Sequence, residues 1–186
     1  TMCTYLGTAG KINDQDIDGA IIKNSEITFL EGYLWDEGEP KRAFEKAIAN
    51  SNKVAMSLSD LFCVERHKIQ FLELVKNKLD IVFANEQEIF SLIDGKSFED
   101  VISFSKHFKK DIIITRGEKG AVAINGNEVF ECQAKKGLNI KDLTGAGDLF
   151  AAGYLHGYIN ELSKKECLEK GTELSSKVIQ KIGARI

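Results

Sequence analysis

The segment DLTGAGDLFAAGYLHG, residues 142–157, carries residue types that could do phosphate chemistry. Its first seven residues include two aspartates, Asp142 and Asp148, and two glycines, Gly145 and Gly147, and an apolar run of helical type follows. Glycine inside a helix costs about 1 kcal/mol relative to alanine, so a purely structural helix start would use fewer of them. The composition therefore suggests that these glycines have a purpose beyond starting a helix.

The backbone of this turn is suited to an anion. A helix that starts near Thr144 leaves the N–H groups of Gly145, Ala146 and Gly147 without partners inside the helix. These donors and the positive end of the helix dipole favour a phosphate oxygen, and small side chains leave room for it. We predict that residues 145–147 form an anion hole.

Asp148 follows the predicted anion hole directly, and two interpretations of it stay open. Its carboxylate could only complement the helix dipole, which is worth about 0.3–1 kcal/mol. It could instead accept the proton of a substrate hydroxyl while the turn stabilises a phosphoryl group in transfer. A capping box that starts at Thr144 would need an acid at position 147, where glycine stands, so the first interpretation lacks that support.

Two other nucleotide-binding motifs do not fit the spacing. The Rossmann pattern G-x-G-x-x-G would need glycine at position 150, where Phe150 stands. A Walker A loop that ends in GKS at 95–97 would need glycine at position 90, which is Phe90. Neither pattern therefore accounts for the glycines of this turn.

Length and composition predict one ordinary globular domain, or most of a larger one. The 186 residues are 43% hydrophobic and 28% charged, with a net charge of −3, which gives no basic surface for nucleic acid. The sequence shows neither an apolar run long enough for a membrane helix nor a signal peptide. The four cysteines have no C-x-x-C spacing, which favours buried thiols in a reducing compartment. We therefore expect a cytoplasmic protein with neither a nucleic-acid partner nor a membrane segment.

The elements that must position the turn follow a β-α pattern. Nearly continuous apolar runs of strand length alternate with segments of helical period, as expected for a parallel sheet with helical crossovers. The predicted strands are residues 26–32, 53–60, 79–86 and 111–117, and the predicted helices are residues 39–51, 63–79 and 97–110.

The remaining third of the chain begins with a hairpin signal. Two short strands, AVAING and NEVFECQAK, meet at Asn125-Gly126-Asn127, which predicts an antiparallel edge on the sheet. We then expect a strand that ends near Ile140, a helix from about Thr144 to Tyr158, and a last helix from about Lys164 to Lys181, with Gly183 as its stop. The fold class is thus α/β, with a mostly parallel sheet flanked by helices.

Three motifs together resemble the ribokinase-like (phosphofructokinase B type) carbohydrate and nucleoside kinases. DLTGAGDLFAAG resembles their D-x-x-G-A-G-D signature, NEQE at 85–88 is similar to N-x-x-E, and TRGEKG at 115–120 is similar to T-x-G-x-x-G. All three occur in the family's order, each at the C-terminal end of a predicted strand, where open α/β sheets bind ligands. TYLG, EGYLWD, LSDLFCVERH and SSKVIQKIGAR extend the resemblance over essentially the whole chain, toward the adenosine kinase-like and unassigned sugar kinases.

The resemblance implies a Rossmann-like ribokinase fold and a role for each matched position. Asp148 would be the catalytic base, next to the anion hole of Gly145, Ala146 and Gly147. The implied nucleotide-binding residues are Asn85 and Glu88, which would act on Mg²⁺ and phosphates largely through water, Thr115, Gly117 and Gly120 along the phosphates and ribose, and Ser175, Ser176 and Ile179 around the adenine. Asp142, Gly183 and Ala184 would be candidates for a monovalent cation site, with K⁺ as the implied ion.

Structural interpretations of some of these residues remain open. Asn85 and Glu88 also fit a capping box, with an acid three residues after the helix cap. We favour the Mg²⁺ role for Glu88 because the other two motifs are present and one carboxylate plus ATP phosphates suffices for this ion. Thr115 could be an ordinary strand residue, and Trp35 could line a substrate cleft or pack in a core.

The resemblance also implies that part of the kinase lies outside these residues. Members of the family begin with a half that carries a di-glycine motif, sugar-contacting acids and a β lid, and none of these occurs here. We therefore expect residues 1–186 to be the C-terminal, ATP-binding portion of a single kinase domain, residues 1–8 to be a strand returning from the lid, and a homodimer to form through that lid.

The main functional hypothesis is an ATP- and Mg²⁺-dependent kinase for a small sugar or nucleoside. A nucleotide-binding regulatory module without transferase activity is the second hypothesis. A domain that binds some other phosphate-bearing ligand is the third.

Overall fold

The computed structural model describes residues 5–35 and 38–186 and confirms the α/β class. Within these residues a mixed, mostly parallel six-stranded sheet is flanked by helices. The strands follow one another across the sheet in chain order: β1 (Thr28–Glu31), β2 (Val54–Ser57), β3 (Ile81–Asn85), β4 (Asp111–Thr115), β5 (Ala121–Asn125) and β6 (Glu128–Cys132). The helices are α1 (Gly19–Lys23), α2 (Glu39–Asn50), α3 (Leu61–Asn77), α4 (Glu86–Ile93), α5 (Phe98–Phe108), α6 (Ala146–Ile159) and α7 (Lys164–Val178).

The chain forms two compact units, residues 1–82 and 83–186. In the first unit β1 and β2 run parallel, with Thr28 opposite Val54. Trp35 is 5% exposed and packs edge-on against Phe44 of α2, with ring centroids 5.1 Å apart. Its indole N–H donates to Gln70 of α3 at 2.9 Å. Of the two interpretations of Trp35, the structure therefore shows core packing.

The predicted strand at residues 1–8 is not found where the structure describes the chain. Residues 1–4 lie outside the described part, and residues 5–8 contain a turn and no strand.

The second unit contains the predicted hairpin. Both β4 and β6 run antiparallel to β5, and the turn between β5 and β6 passes through Gly126, with φ of +58°. The side chains of Ile112 and Ile124, which are opposite one another, are fully buried. The hairpin prediction is confirmed, because Asn-Gly-Asn tolerates the left-handed backbone that a tight turn requires.

A buried polar contact ties α7 to the start of β4. Lys164 Nζ lies 2.5 Å from Asp111 Oδ1, and Asn125 Nδ2 donates to the same oxygen at 2.5 Å. Asp111 is 7% exposed, so its charge is compensated almost entirely by these neighbours.

The helices α6 and α7 pack closely through glycines. A Cβ on Gly153 of α6 would lie 2.6 Å from the carbonyl oxygen of Lys170, and one on Gly171 of α7 would lie 2.8 Å from that of Phe150. Both separations are too short for a real side chain. These glycines therefore serve helix packing and need no ligand to explain them.

Three predicted boundaries around the glycine turn are wrong. Residues 133–143 form no strand, so none ends near Ile140. The helix α6 begins at Ala146 because Gly145 has φ of +78°, which no helical residue adopts. The helix α7 ends at Val178: the Ile179 N–H makes the last helical hydrogen bond, to the Ser175 carbonyl, and the Ser176 carbonyl accepts from the Gln180 side-chain amide at 2.9 Å.

The prediction of buried thiols is confirmed at two positions. Cys63 and Cys167 are buried, whereas Cys132 is partly exposed, and none of these three forms a disulfide; Cys3 lies outside the described residues. None of the described helices has the length and apolar character needed to cross a membrane.

Candidate active site

Asp142 anchors the glycine turn from its N-terminal side. Its Oδ1 accepts hydrogen bonds from the Thr144 N–H at 2.9 Å and the Thr144 hydroxyl at 2.7 Å, and its Oδ2 accepts from the Gly183 N–H at 2.9 Å. These bonds, led by the one from the Thr144 backbone, hold the pKa of Asp142 below its ordinary value of 3.8. Asp142 therefore stays ionised and fixes the turn to the segment after α7.

The same segment holds the turn at two further points. The carbonyl oxygen of Ile179 accepts hydrogen bonds from the Lys141 N–H at 2.8 Å and the Asp142 N–H at 3.3 Å. A Cβ on Gly145 would lie 2.8 Å from the Cβ of Ala184, so Gly145 is required by both its backbone angle and this close approach. The structure thus brings Asp142, Gly183 and Ala184 together around the turn, as hydrogen-bonding and packing partners, and the cation at these residues stays a prediction.

The predicted set of open N–H donors needs one correction. The N–H of Ala146 donates to the Leu143 carbonyl at 3.1 Å, because the chain makes a tight turn just before α6, so the expectation of an open donor there is wrong. Within the described residues, the N–H groups of Gly145, Gly147 and Asp148 make no hydrogen bond. The open donors at this helix start therefore extend one residue further into α6 than predicted.

Neither the backbone angle nor the packing requires a glycine at position 147. It lies in the first turn of α6 with a helical backbone, and a Cβ built on it would meet no heavy atom within 4 Å. Alanine would be more favourable at such a position by about 0.5–1 kcal/mol. The space in front of Gly147 is therefore open for a ligand.

Asp148 stands beside that space with a free carboxylate. The residue is exposed and lies in the first turn of α6, and among the described residues no group donates to its carboxylate or forms an ion pair with it. A base must have a lone pair available for the substrate proton, and Asp148 does. The helix-dipole interpretation is also compatible with this position.

Asn85 and Glu88 form the capping box that the sequence left open as an alternative. Asn85 Oδ1 accepts from the Glu88 N–H at 2.9 Å, and Glu88 Oε2 accepts from the Asn85 N–H at 2.9 Å. The second carboxylate oxygen, Oε1, accepts from the Asn85 side-chain amide at 2.6 Å, and Glu88 is 5% exposed. Both oxygens thus accept a hydrogen bond from Asn85, so the capping box is confirmed and the Mg²⁺ role of Glu88 stays a prediction.

The described residues offer no dedicated all-protein metal site. No group of three or more histidine, cysteine, aspartate or glutamate side chains among them is arranged to hold a metal ion. A magnesium ion bound mainly by phosphates and water needs no such cluster.

The TRGEKG loop connects β4 to β5. Thr115 ends β4, with its hydroxyl 3.5 Å from the Ala84 carbonyl, and residues 117–119 form a single 3-10 turn. Gly117 has φ of +57° and open space around it. Gly120 has φ of +91°, and a Cβ there would collide with the carbonyl of Cys132. Gly120 is thus explained by the fold, whereas Gly117 exposes its backbone to solvent.

The predicted adenine-flanking residues differ in their surroundings. Ser176 is buried and its hydroxyl donates to the Thr172 carbonyl at 2.6 Å, so its side chain is used within α7. Ser175 and Ile179 are partly exposed and remain the accessible members of this group.

Sequence reasoning missed a cavity beside this segment. It measures about 430 Å³ and is lined by Cys132 at the end of β6, by Gln133 after it, and by Lys165, Glu169 and Thr172 on α7, among others. No local sequence pattern indicated it, because its lining residues come from two segments that only the fold brings together.

Comparisons with known proteins give the family. A model of the pfkB family of carbohydrate kinases matches residues 1–186. Adenosine kinase 2 of Arabidopsis thaliana is 31% identical over 184 residues, which cover 88% of this chain and 52% of that protein. Cytidine kinase of Thermococcus kodakarensis is 33% identical over 114 residues, covering 60% of this chain and 41% of that protein. The chain spans about half the length of the curated relatives it matches.

The fold of the chain also matches solved structures. The crystal structure of adenosine kinase from Sinorhizobium meliloti superposes with a TM-score of 0.91 at 36% identity, covering 95% of this chain and 56% of that one. The likeness therefore extends through both compact units.

Proposed function

Since this chain belongs to the pfkB family of carbohydrate kinases, we propose that it transfers the γ-phosphoryl group of ATP to a hydroxyl of a sugar or nucleoside. The observation that carries the proposal is the pair Gly147 and Asp148, in which an unobstructed helix start adjoins a carboxylate that has no partner among the described residues. The relatives named above are kinases of adenosine and cytidine, which supports a nucleoside or a related ribosyl compound as the acceptor.

In the proposed reaction Asp148 acts as the general base. Its carboxylate accepts the proton of the acceptor hydroxyl while that oxygen forms a bond to the γ-phosphorus. The bond from the γ-phosphorus to the bridging oxygen breaks, and ADP leaves with the electron pair. The N–H groups of Gly145 and Gly147 and the positive helix end stabilise the negative charge on the transferring group, and Asp148 then releases its proton to solvent.

The rest of the second unit would bind the nucleotide. Thr115 and the exposed backbone of Gly117 are proposed to contact the phosphates and ribose, with Gly120 shaping the loop between them. Ser175 and Ile179 are proposed to flank the adenine. A bound Mg²⁺ would neutralise phosphate charge, and the cap formed by Asn85 and Glu88 would contact its water ligands.

We further propose that these residues are the ATP-binding portion of a larger cytoplasmic kinase, whose other portion sets acceptor choice. The coverage of about half of each relative supports this division. A homodimer through a lid, and K⁺ at Asp142, Gly183 and Ala184, belong to the same proposal.

The test is the substitution Asp148→Asn in the full-length kinase. The asparagine amide keeps the shape of the carboxylate but cannot act as a base. The kcat with adenosine or ribose should therefore fall by about 10²–10⁴-fold, while the Kd for ATP stays near its original value. Glu99→Gln is the matched control, because it removes an exposed carboxylate from the first turn of another helix, α5, and should leave kcat unchanged.

Two results would contradict the proposal. Near-normal kcat in Asp148→Asn would show that the carboxylate only complements the helix dipole. Tight ATP binding by the unmodified protein, with no phosphorylated product from a panel of sugars and nucleosides, would favour a regulatory module.

A further inference from the structure

The loop between β4 and β5 contains an arginine whose role the proposed function leaves open. The backbone N–H of Arg116 donates to the Gly120 carbonyl at 2.8 Å, and the Arg116 carbonyl accepts from the Lys119 N–H at 3.1 Å. The loop is thus closed on itself. Thr115 ends β4 on one side of the loop, Gly120 is fixed on the other by its close approach to Cys132, and the Arg116 side chain adds a further attachment between them.

The Arg116 side chain contacts two helices of the same unit. Its Nε donates to Glu86 Oε1 of α4 at 3.3 Å, and its guanidinium carbon lies 4.4 Å from the ring centroid of Phe98 in α5. The side chain is 21% exposed. Lys119 also approaches Glu86, at 3.6 Å, but is 66% exposed, so its contribution is the more strongly screened by solvent.

The partners of Arg116 are themselves fixed. Glu86 is the first residue of α4 and follows the cap residue Asn85 directly. Phe98 packs edge-on against Phe90 of α4, with ring centroids 5.7 Å apart. The arginine therefore connects the TRGEKG loop to the start of α4, and these are the two segments proposed to lie along the phosphates.

We infer that Arg116 is a positioning residue, which holds the TRGEKG loop against Glu86 and Phe98 so that the Gly117 backbone meets the nucleotide phosphates. The inference rests on the proposed ATP-binding function. Arg116 acts through the loop and makes no contact with the nucleotide itself. A planar guanidinium is required because it bonds the carboxylate with its edge and covers the ring with its face, which an ammonium cannot do together.

The test is the binding of ATP in the presence of Mg²⁺, measured by titration calorimetry well below the unfolding temperature. The substitution Arg116→Met should raise the Kd roughly three- to tenfold, and Arg116→Lys, which keeps the charge and loses the ring contact, should give an intermediate value. Arg42→Met is the matched control: it removes an exposed arginine–glutamate pair with Glu39 in the other unit and should leave the Kd within about twofold.

A double variant separates positioning from charge neutralisation. In Arg116→Met with Glu86→Gln the carboxylate that has kept only the exposed Lys119 as a counter-charge is gone, but the loop still lacks the Arg116 contacts, so the Kd should stay as weak as in Arg116→Met alone. Recovery of the original Kd in the double variant, or an unchanged Kd in both Arg116 variants, would overturn the inference. Absence of ATP binding by the unmodified protein would instead overturn the proposed function.

Discussion

Replacing Gly147 by alanine should raise stability and lower activity together. A Cβ at this position meets no atom within 4 Å and the backbone is helical, so the substitution introduces no strain. The unfolded chain loses conformational freedom, which should stabilise the fold by about 0.4–1 kcal/mol. For a domain of this size that corresponds to a rise in Tm of about 1–4 °C.

The same methyl group would occupy the space proposed for the transferring phosphoryl group. Displacing the reacting atoms by about 1 Å can lower the rate about a hundredfold, so we expect kcat/KM of Gly147→Ala to fall at least tenfold. Tm would be followed by calorimetry in the absence of nucleotide, and activity by ADP release in the full-length kinase.

Gly153→Ala is the matched control because it is the same substitution in the same helix. Its Cβ would lie 2.6 Å from the Lys170 carbonyl oxygen, so this variant should lose stability where Gly147→Ala gains it. Unchanged kcat/KM in a stabilised Gly147→Ala would refute the argument that the open space serves a phosphate. A lower Tm of Gly147→Ala would show that the space beside Gly147 is not open.

Three further predictions concern the framework around the site. Gly120→Ala places a side chain against a carbonyl at φ of +91° and should lower the free energy of unfolding by about 2 kcal/mol or more, measured by urea denaturation. Asp111→Ala leaves the Lys164 amine half-buried without its counter-charge and should lower it by roughly 2–4 kcal/mol in the same assay. The pKa of Asp142 is lowered from 3.8 in the folded state, so the ionised carboxylate stabilises the fold above pH 3.8. This stabilisation is lost as the pH falls through the folded-state pKa. Asp142→Asn removes the titrating group and should therefore show a shallower loss of Tm in acid.

The β-α framework could be predicted from local sequence. The apolar runs that became β2, β3 and β4 are short, nearly continuous and followed by helical periods, so strand and crossover are recognisable without distant contacts. The hairpin at Gly126 was equally local, because the turn chemistry lies in three adjacent residues.

The strand expected near Ile140 failed for a non-local reason. Alternating apolar residues before Asp142 suggest a strand, but the backbone N–H groups of Lys141 and Asp142 donate to the Ile179 carbonyl, and that of Asn139 to the Gln180 side chain. Backbone donors must find partners, and here the partners come from after α7. No local pattern could indicate that choice.

The residues of the candidate site also fall into those that local sequence indicates and those whose role depends on distant contacts. Gly147 and Asp148 could be singled out from their spacing alone, since the unfavourable glycine is itself the signal. The roles of Arg116 and Ser176 depend on Glu86, Phe98 and Thr172, which are brought near only by the fold or the helix geometry. Local sequence therefore indicates the candidate catalytic residues better than it indicates the side chains that position them.

The attachment of Asp142 to Gly183 has a consequence for biosynthesis. The two residues are separated by 41 positions, so on the ribosome the glycine turn is made well before the N–H that fixes it. The close contact between Gly145 and Ala184 likewise forms only after Ala184 has been synthesised. A nascent chain that has completed β1–β6 therefore still lacks a fixed glycine turn. If the turn binds nucleotide as proposed, binding requires synthesis through Ala184, and a chain that ends before Ala184 would contain the sheet without the proposed site.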